Sequence, residues 1–140
     1  MSIKDKKIFK FKGRVYFGDT DAAAVVYHAK YIHWLEASRI ELLDDLDYPY
    51  SVFQEQKIGF IPTHIDINYH APLRFSEYFE IHTQIESLKK VSFTLSSKIL
   101  KGDQIMCTAK VRLACLNEKN WKLRQLPEEF LKKLTLNHAL

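Results

Sequence analysis

Apolar and polar residues alternate from Phe9 to Phe17, with Phe9, Phe11, Gly13, Val15 and Phe17 on one face and Lys10, Lys12, Arg14 and Tyr16 on the other. That two-residue period predicts a half-buried strand. Gly18-Asp19-Thr20-Asp21 breaks the period with turn-forming residues, and Ala22 to His28 leads towards a helix. From Tyr31 the period becomes helical: Tyr31, Trp34, Leu35, Ser38, Leu42 and Leu46 share one stripe. Pro49 stops this helix, and Tyr50 to Gly59 reads as a connector with a helical turn around Val52 to Gln56. Four alternating runs follow, Ile61 to Ala71, Tyr78 to Leu88, Val91 to Leu100 and Ile105 to Leu116. One-sided alternation of this kind predicts antiparallel strands with one face on a core. The separators Ala71–Glu77, Lys89–Lys90 and Lys101-Gly102-Asp103 are short and polar, which predicts meander connections. After Pro127, Glu128 to Leu134 has acids in its first turn and lysines in its last, a short terminal helix.

A strand, a long helix and four strands predict an α+β architecture, a curved antiparallel five-stranded sheet wrapped around one long helix. Trp34, Leu35 and Leu42 are its expected central contacts. A long edge strand left unpaired would invite pairing with another subunit.

Composition agrees with one packed domain spanning residues 1–140: 46% of residues are hydrophobic and 13% aromatic, with four Gly and four Pro. A domain of this size buries only ~68–70% of its unfolded surface, which leaves little material to wall a deep pocket alone. An enzyme of this length is therefore expected to be a homo-oligomer, a dimer or tetramer with sites between subunits. The net charge of +4 favours an anionic partner. It does not point to nucleic acid, because basic residues cluster only at Lys4, Lys6 and Lys7 and at Lys89–Lys90. No run of about 18 apolar residues appears and the N-terminus is polar, so a cytoplasmic protein without a membrane span is expected. Cys107 and Cys115 share one strand and would stand ~26 Å apart when extended, too far for a disulfide. They read as buried structural thiols.

The densest chemistry lies in Asp19-Thr20-Asp21-Ala22-Ala23-Ala24-Val25-Val26-Tyr27-His28, between a strand and a helix. Free backbone N–H groups at a helix start attract negative charge, so a thioester or phosphoryl oxygen can be held beside a carboxylate. Turn and cap roles for Asp19 and Asp21 are the plain alternative. A calcium loop fails, because it needs Asp or Asn and then Gly where Ala23 and Ala24 stand. A paired-aspartate magnesium site suits longer parallel α/β folds. His64, Asp66, Asn68 and His70 alternate on one polar face, which reads as solvent-facing or interface surface. His28 and His33 are off the spacing of zinc helices, so no metal site is expected.

The run Arg14-Val15-Tyr16-Phe17-Gly18-Asp19-Thr20-Asp21, continuing through Val25-Val26-Tyr27-His28-Ala29-Lys30-Tyr31 and Trp34-Leu35-Glu36, resembles the opening motif of the hot-dog-fold acyl-CoA thioesterases. Asn68-Tyr69-His70-Ala71-Pro72-Leu73 and Lys89-Lys90-Val91-Ser92-Phe93 extend the likeness over nearly the whole chain. The 4-hydroxybenzoyl-CoA thioesterase family is the nearest in pattern, with its Tol-Pal-associated and 1,4-dihydroxy-2-naphthoyl-CoA branches. The resemblance implies that Asp21 is the catalytic carboxylate and that the His28 backbone N–H polarises the thioester carbonyl. It implies that Lys89 and Lys90 meet CoA phosphates, with Ser92 near the same site. Coenzyme A is then part of the substrate, and neither a metal nor an organic cofactor is required. Aromatic acyl-CoAs, including 1,4-dihydroxy-2-naphthoyl-CoA of quinone biosynthesis, lead as substrates, followed by short aliphatic ones. One departure is Ala24, where the family usually has Gly, which restricts the backbone beside the thioester. A non-catalytic acyl-CoA or acyl-carrier binding module is the competing class. A hot-dog dehydratase fits less well, since its chemistry uses a His and an acid in a different motif.

Overall fold

The computed structural model describes residues 7–137, so Lys4 and Lys6 of the N-terminal basic cluster lie outside the described residues. Strand β1 (Phe9–Arg14) is followed by a single 3-10 turn, helix α1 (Lys30–Asp45) and a short α2 (Tyr50–Glu55). Strands β2 (Ile58–Tyr69), β3 (Tyr78–Leu88), β4 (Ser92–Lys101) and β5 (Gln104–Asn117) come next. A two-residue β6 (Lys122–Leu123) and α3 (Glu128–Asn137) complete the described chain. The antiparallel sheet runs in the order β1-β3-β4-β5-β2, and β6 adds a sixth strand beside the end of β5. The predicted hot-dog arrangement of a curled sheet on a long helix is the one observed.

The helical stripe is buried as expected: Tyr31, Trp34, Leu35, Ser38 and Leu42 face the sheet, and Leu46 closes the end. Opposite them lie Phe79, Ile81 and Ile85 of β3 and Phe93, Leu95 and Ile99 of β4. Gly13 sits beneath the Phe79 ring, which a Cβ there would meet at 2.4 Å, and that ring stacks on Trp34 at 4.3 Å. At the other end of α1, Phe130 of α3 is fully buried against Phe53, Phe60 and Phe93, so the terminal helix is fastened by an aromatic cluster. Among the described residues, no helix is long and apolar enough to cross a membrane.

Three sequence expectations are corrected. Strand β1 ends at Arg14 rather than Phe17. The Asp19 carboxylate accepts the Tyr16 N–H at 2.8 Å and bends the chain into the 3-10 turn, which leaves Phe17 exposed against a stacked Phe75. The segment between β2 and β3 is not a meander connection, because β2 pairs with β5 at the far edge of the sheet. Leu73 instead buries itself at the start of α1, accepting the Val26 N–H at 2.9 Å and donating its own N–H to the Tyr31 hydroxyl at 3.1 Å. Those anchors carry the connector across one end of the curl. The third difference concerns burial: Ile61 and Ile65 are each 38% exposed and Tyr69 is 46% exposed, so the apolar face of β2 is open as well as its polar one.

Candidate active site

The segment from Asp19 to His28 folds as a small hairpin. Asp21 N–H donates to the Val25 carbonyl, Thr20 bridges Val26, and Tyr27 N–H donates to the Asp19 carbonyl. A tight turn closes it, with the Ala24 N–H on the Asp21 carbonyl at 2.9 Å and Ala24 at φ +63°. This is the left-handed region, where glycine carries no Cβ penalty, and it is the position at which Ala24 departs from the glycine of the motif.

The two aspartates do different work. Asp19 is buried, caps Tyr16 and pairs with Lys30 Nζ at 3.1 Å, so it fastens the hairpin to the first turn of α1. Asp21 is exposed, and one oxygen, Oδ1, accepts the Ala23 N–H at 2.8 Å. Neither caps α1, whose N-cap is Ala29 without a side-chain hydrogen bond. Among the described residues, the His28 and Ala29 N–H groups donate to no protein acceptor, whereas Lys30 N–H is taken by the Tyr27 carbonyl at 2.8 Å. A carboxylate and free N–H donors therefore belong to one short hairpin and the helix start it runs into.

Beside that turn lies a cavity of about 220 Å³ walled by Val26, His28, Tyr31, Tyr69, His70, Ala71 and Pro72. Tyr31 and Tyr69 meet edge to face at 5.3 Å. Burial raises the Tyr31 phenol above its ordinary value against the pull of the Leu73 N–H, and burial also raises Tyr69. Both hydroxyls stay protonated at neutral pH. In the loop before β3, burial works to raise Glu77, but hydrogen bonds from Lys101 and the Arg74 N–H, with the charges of those residues, hold its carboxyl below the usual range. Cys107 and Cys115 are free and buried, and burial pushes their thiols up to about 12 and about 11, so neither is a nucleophile near neutral pH.

Lys89, Lys90 and Ser92 lie elsewhere. They form the β3–β4 turn, where Lys89 N–H donates to the Ser92 carbonyl at 2.8 Å; both lysines are exposed and Ser92 is half-buried. Tyr78, at the other end of β3, pairs with Arg14, and the Glu77 carbonyl accepts the Val15 N–H, just ahead of the Asp19–His28 hairpin. The length of β3, roughly 30 Å along the strand, separates the lysine pair from Asp21 within one chain. His64, Asp66, Asn68 and His70 are exposed on β2, and His70 contacts Thr108 Oγ1 at 3.2 Å.

A model of the thioesterase-like superfamily matches residues 15–134, which spans the hairpin, helix α1 and every strand of the sheet but β1. The chain belongs to that superfamily. Thioesterases of known sequence are similar along most of the chain. Acyl-CoA thioester hydrolase YbgC of Escherichia coli is 30% identical over 125 residues, covering 89% of this chain and 93% of its own. Among solved structures, BH1999 gentisyl-coenzyme A thioesterase superposes with a TM-score of 0.83 at 28% identity, over 89% of this chain and 98% of that one. Slr0204 of Synechocystis, a 1,4-dihydroxy-2-naphthoyl-CoA thioesterase, superposes at 0.87 with 19% identity, over 95% of this chain and all of its own, and so shares the fold. The residue that sequence reasoning passed over is Tyr69, whose hydroxyl donates to the His28 carbonyl at 2.6 Å from 41 positions away.

Proposed function

We propose that this thioesterase hydrolyses acyl-CoA thioesters, aromatic ones foremost, with Asp21 as the catalytic carboxylate and the His28 N–H as donor to the carbonyl oxygen. The observation that carries this reading is the hairpin that joins an exposed carboxylate to unpaired N–H groups at a helix start. Negative charge develops on the thioester oxygen as the carbonyl carbon becomes tetrahedral, and a preorganised N–H lowers that barrier, one such donor being worth ~10²–10³ in rate. Asp21 either attacks the carbonyl carbon, giving a mixed anhydride that water opens, or takes a proton from the attacking water. In both routes the C–S bond breaks, the CoA thiolate leaves and is protonated, and water supplies the oxygen of the acid. The rings of Tyr31 and Tyr69 beside His28 support an aromatic acyl group. The gentisyl-CoA activity in the name of a 28% identical relative points the same way.

The assembly is a homo-oligomer in the cytoplasm. Strand β2 is twelve residues long at the sheet edge, and its Ile61, Ile65 and Tyr69 are left open. A second copy would also offer a route by which Lys89 and Lys90 reach CoA phosphates at an Asp21 site, given their separation within one chain.

The purified chain should release CoA thiol from benzoyl-, gentisyl- or 1,4-dihydroxy-2-naphthoyl-CoA faster, by kcat/KM, than from acetyl- or butyryl-CoA. Asp21→Asn should lower kcat by at least about 10²-fold. Full turnover in that variant would remove Asp21 from the mechanism, and thermal stabilisation by acyl-CoA without turnover would make the protein a binding module.

A further inference from the structure

We propose that Tyr69 is a positioning residue for this reaction, holding the start of α1 so that the His28 N–H faces the thioester oxygen; the inference rests on the role given to that N–H above. Two peptide units meet at His28. The first carries the Tyr27 carbonyl and the His28 N–H, and its carbonyl is held by Lys30 N–H at 2.8 Å. The second carries the His28 carbonyl, and among the described residues the one side chain on it is Tyr69, whose O–H donates at 2.6 Å, at the short end of the usual range. With both carbonyls held, the direction of the free N–H between them is fixed.

Among the described residues, no other side chain holds the His28 carbonyl. Its N-cap, Ala29, offers no side-chain bond, and Asp19 grips the segment at Tyr27 N–H, through its carbonyl, and at the Lys30 side chain, through its carboxylate, not at the His28 carbonyl. Tyr69 is well placed for the task because it is itself held. It is the last residue of β2, paired with Cys107, and the next two N–H groups, His70 and Ala71, both donate to the Met106 carbonyl. Its ring packs edge to face on Tyr31, whose oxygen in turn accepts the Leu73 N–H. The hydroxyl thus ties the sheet to the catalytic turn across the 220 Å³ cavity.

A bond made by a residue that is 46% exposed adds little to the stability of the fold, since water competes for both partners. Its effect should therefore appear in the chemical step. Misplacing a catalytic group by about 1 Å costs up to ~10² in rate, whereas ground-state binding of CoA does not depend on the carbonyl oxygen.

The test compares wild type with Tyr69→Phe in the full chain, which keeps the ring and removes the hydroxyl. The expected result is a kcat lower by about 10- to 100-fold with KM unchanged within about twofold. Binding of S-benzyl-CoA, a thioether without a carbonyl, should be unaltered. In protein labelled with ¹⁵N-histidine, the His28 amide signal should shift and exchange faster with solvent. Full kcat in Tyr69→Phe overturns the inference, as does a raised KM with kcat retained, which would make Tyr69 a ligand contact. If the variant also melts early, the His28 amide in the folded protein decides: a moved signal supports positioning and an unmoved one overturns it. Wild type that turns over no acyl-CoA overturns the function proposed above and this inference together, while an active wild type with an unaffected Tyr69→Phe overturns this inference alone.

Discussion

Asp19 and Asp21 illustrate what residue type alone does not decide. Both are acids in a turn-forming stretch with the same capping preference, and their division of labour comes from tertiary partners. Lys30 and the Tyr16 N–H claim Asp19 and bury it, while Asp21 projects from the closing turn. Ala24 was legible as a departure from the motif, but its physical meaning needed the backbone: φ is +63°, which an L-residue adopts at a cost. Ala24→Gly should therefore raise stability by about 0.5–1 kcal/mol, the relief of the left-handed strain exceeding the extra entropy of glycine in the unfolded chain. The urea midpoint should rise with an unchanged slope; a fall would show that the turn needs the methyl group. Tyr69 was invisible as a functional residue because its partner, the His28 carbonyl, lies 41 positions away in sequence. The apolar run of β2 announces only a ring near a core.

Elements were read well from periodicity and their neighbours less well. The stripe of α1 and the extents of β3, β4 and β5 follow from the period to within about one residue at each end. Alternation records which face is apolar and carries no information on which strands pair, so the crossing of the segment after β2 was missed. What fixes that crossing is the burial of Leu73 and a tight loop in which Glu77 accepts the Arg74 N–H at 2.6 Å and pairs with Lys101. The loop predicts an acid dependence of stability. The folded carboxyl of Glu77 titrates below its unfolded value, so its contribution is present above the ordinary carboxylate range and is lost as the pH falls through the lower folded value. Between about pH 5.5 and about pH 3, wild type should lose more melting temperature than Glu77→Gln. Equal losses would mean that the Lys101 pair contributes nothing to folding.

At the scale of the whole molecule, the short length noted at the outset and the distance between Asp21 and the Lys89–Lys90 turn lead to the same expectation, a site shared between copies. It can be tested by mixing two damaged proteins. Asp21→Asn lacks the carboxylate, and Lys89→Ala with Lys90→Ala lacks the basic pair and should show a raised KM for acyl-CoA. After unfolding and refolding an equal mixture, random pairing in two-fold symmetric dimers should leave about a quarter of all sites with both parts intact. Low-KM turnover should reappear at roughly that fraction of wild type. No recovery would place the lysines and Asp21 either in one subunit's site or in unrelated ones. Strand β2 also has a consequence for how the chain is made. It pairs only with β5, from Ile58 with Asn117 to Tyr69 with Cys107. At translation rates of ~5–20 residues per second, those partners emerge several seconds after β2 itself. During that wait a twelve-residue segment with one apolar face has no strand partner on either side, which is the situation in which nascent chains stick to one another. Pro62, the offset in register beside it and the polar series His64, Asp66 and Asn68 interrupt the strand where a flat ribbon would be most adhesive. The same strand that is proposed to take a second subunit in the finished enzyme must first refuse one on the ribosome.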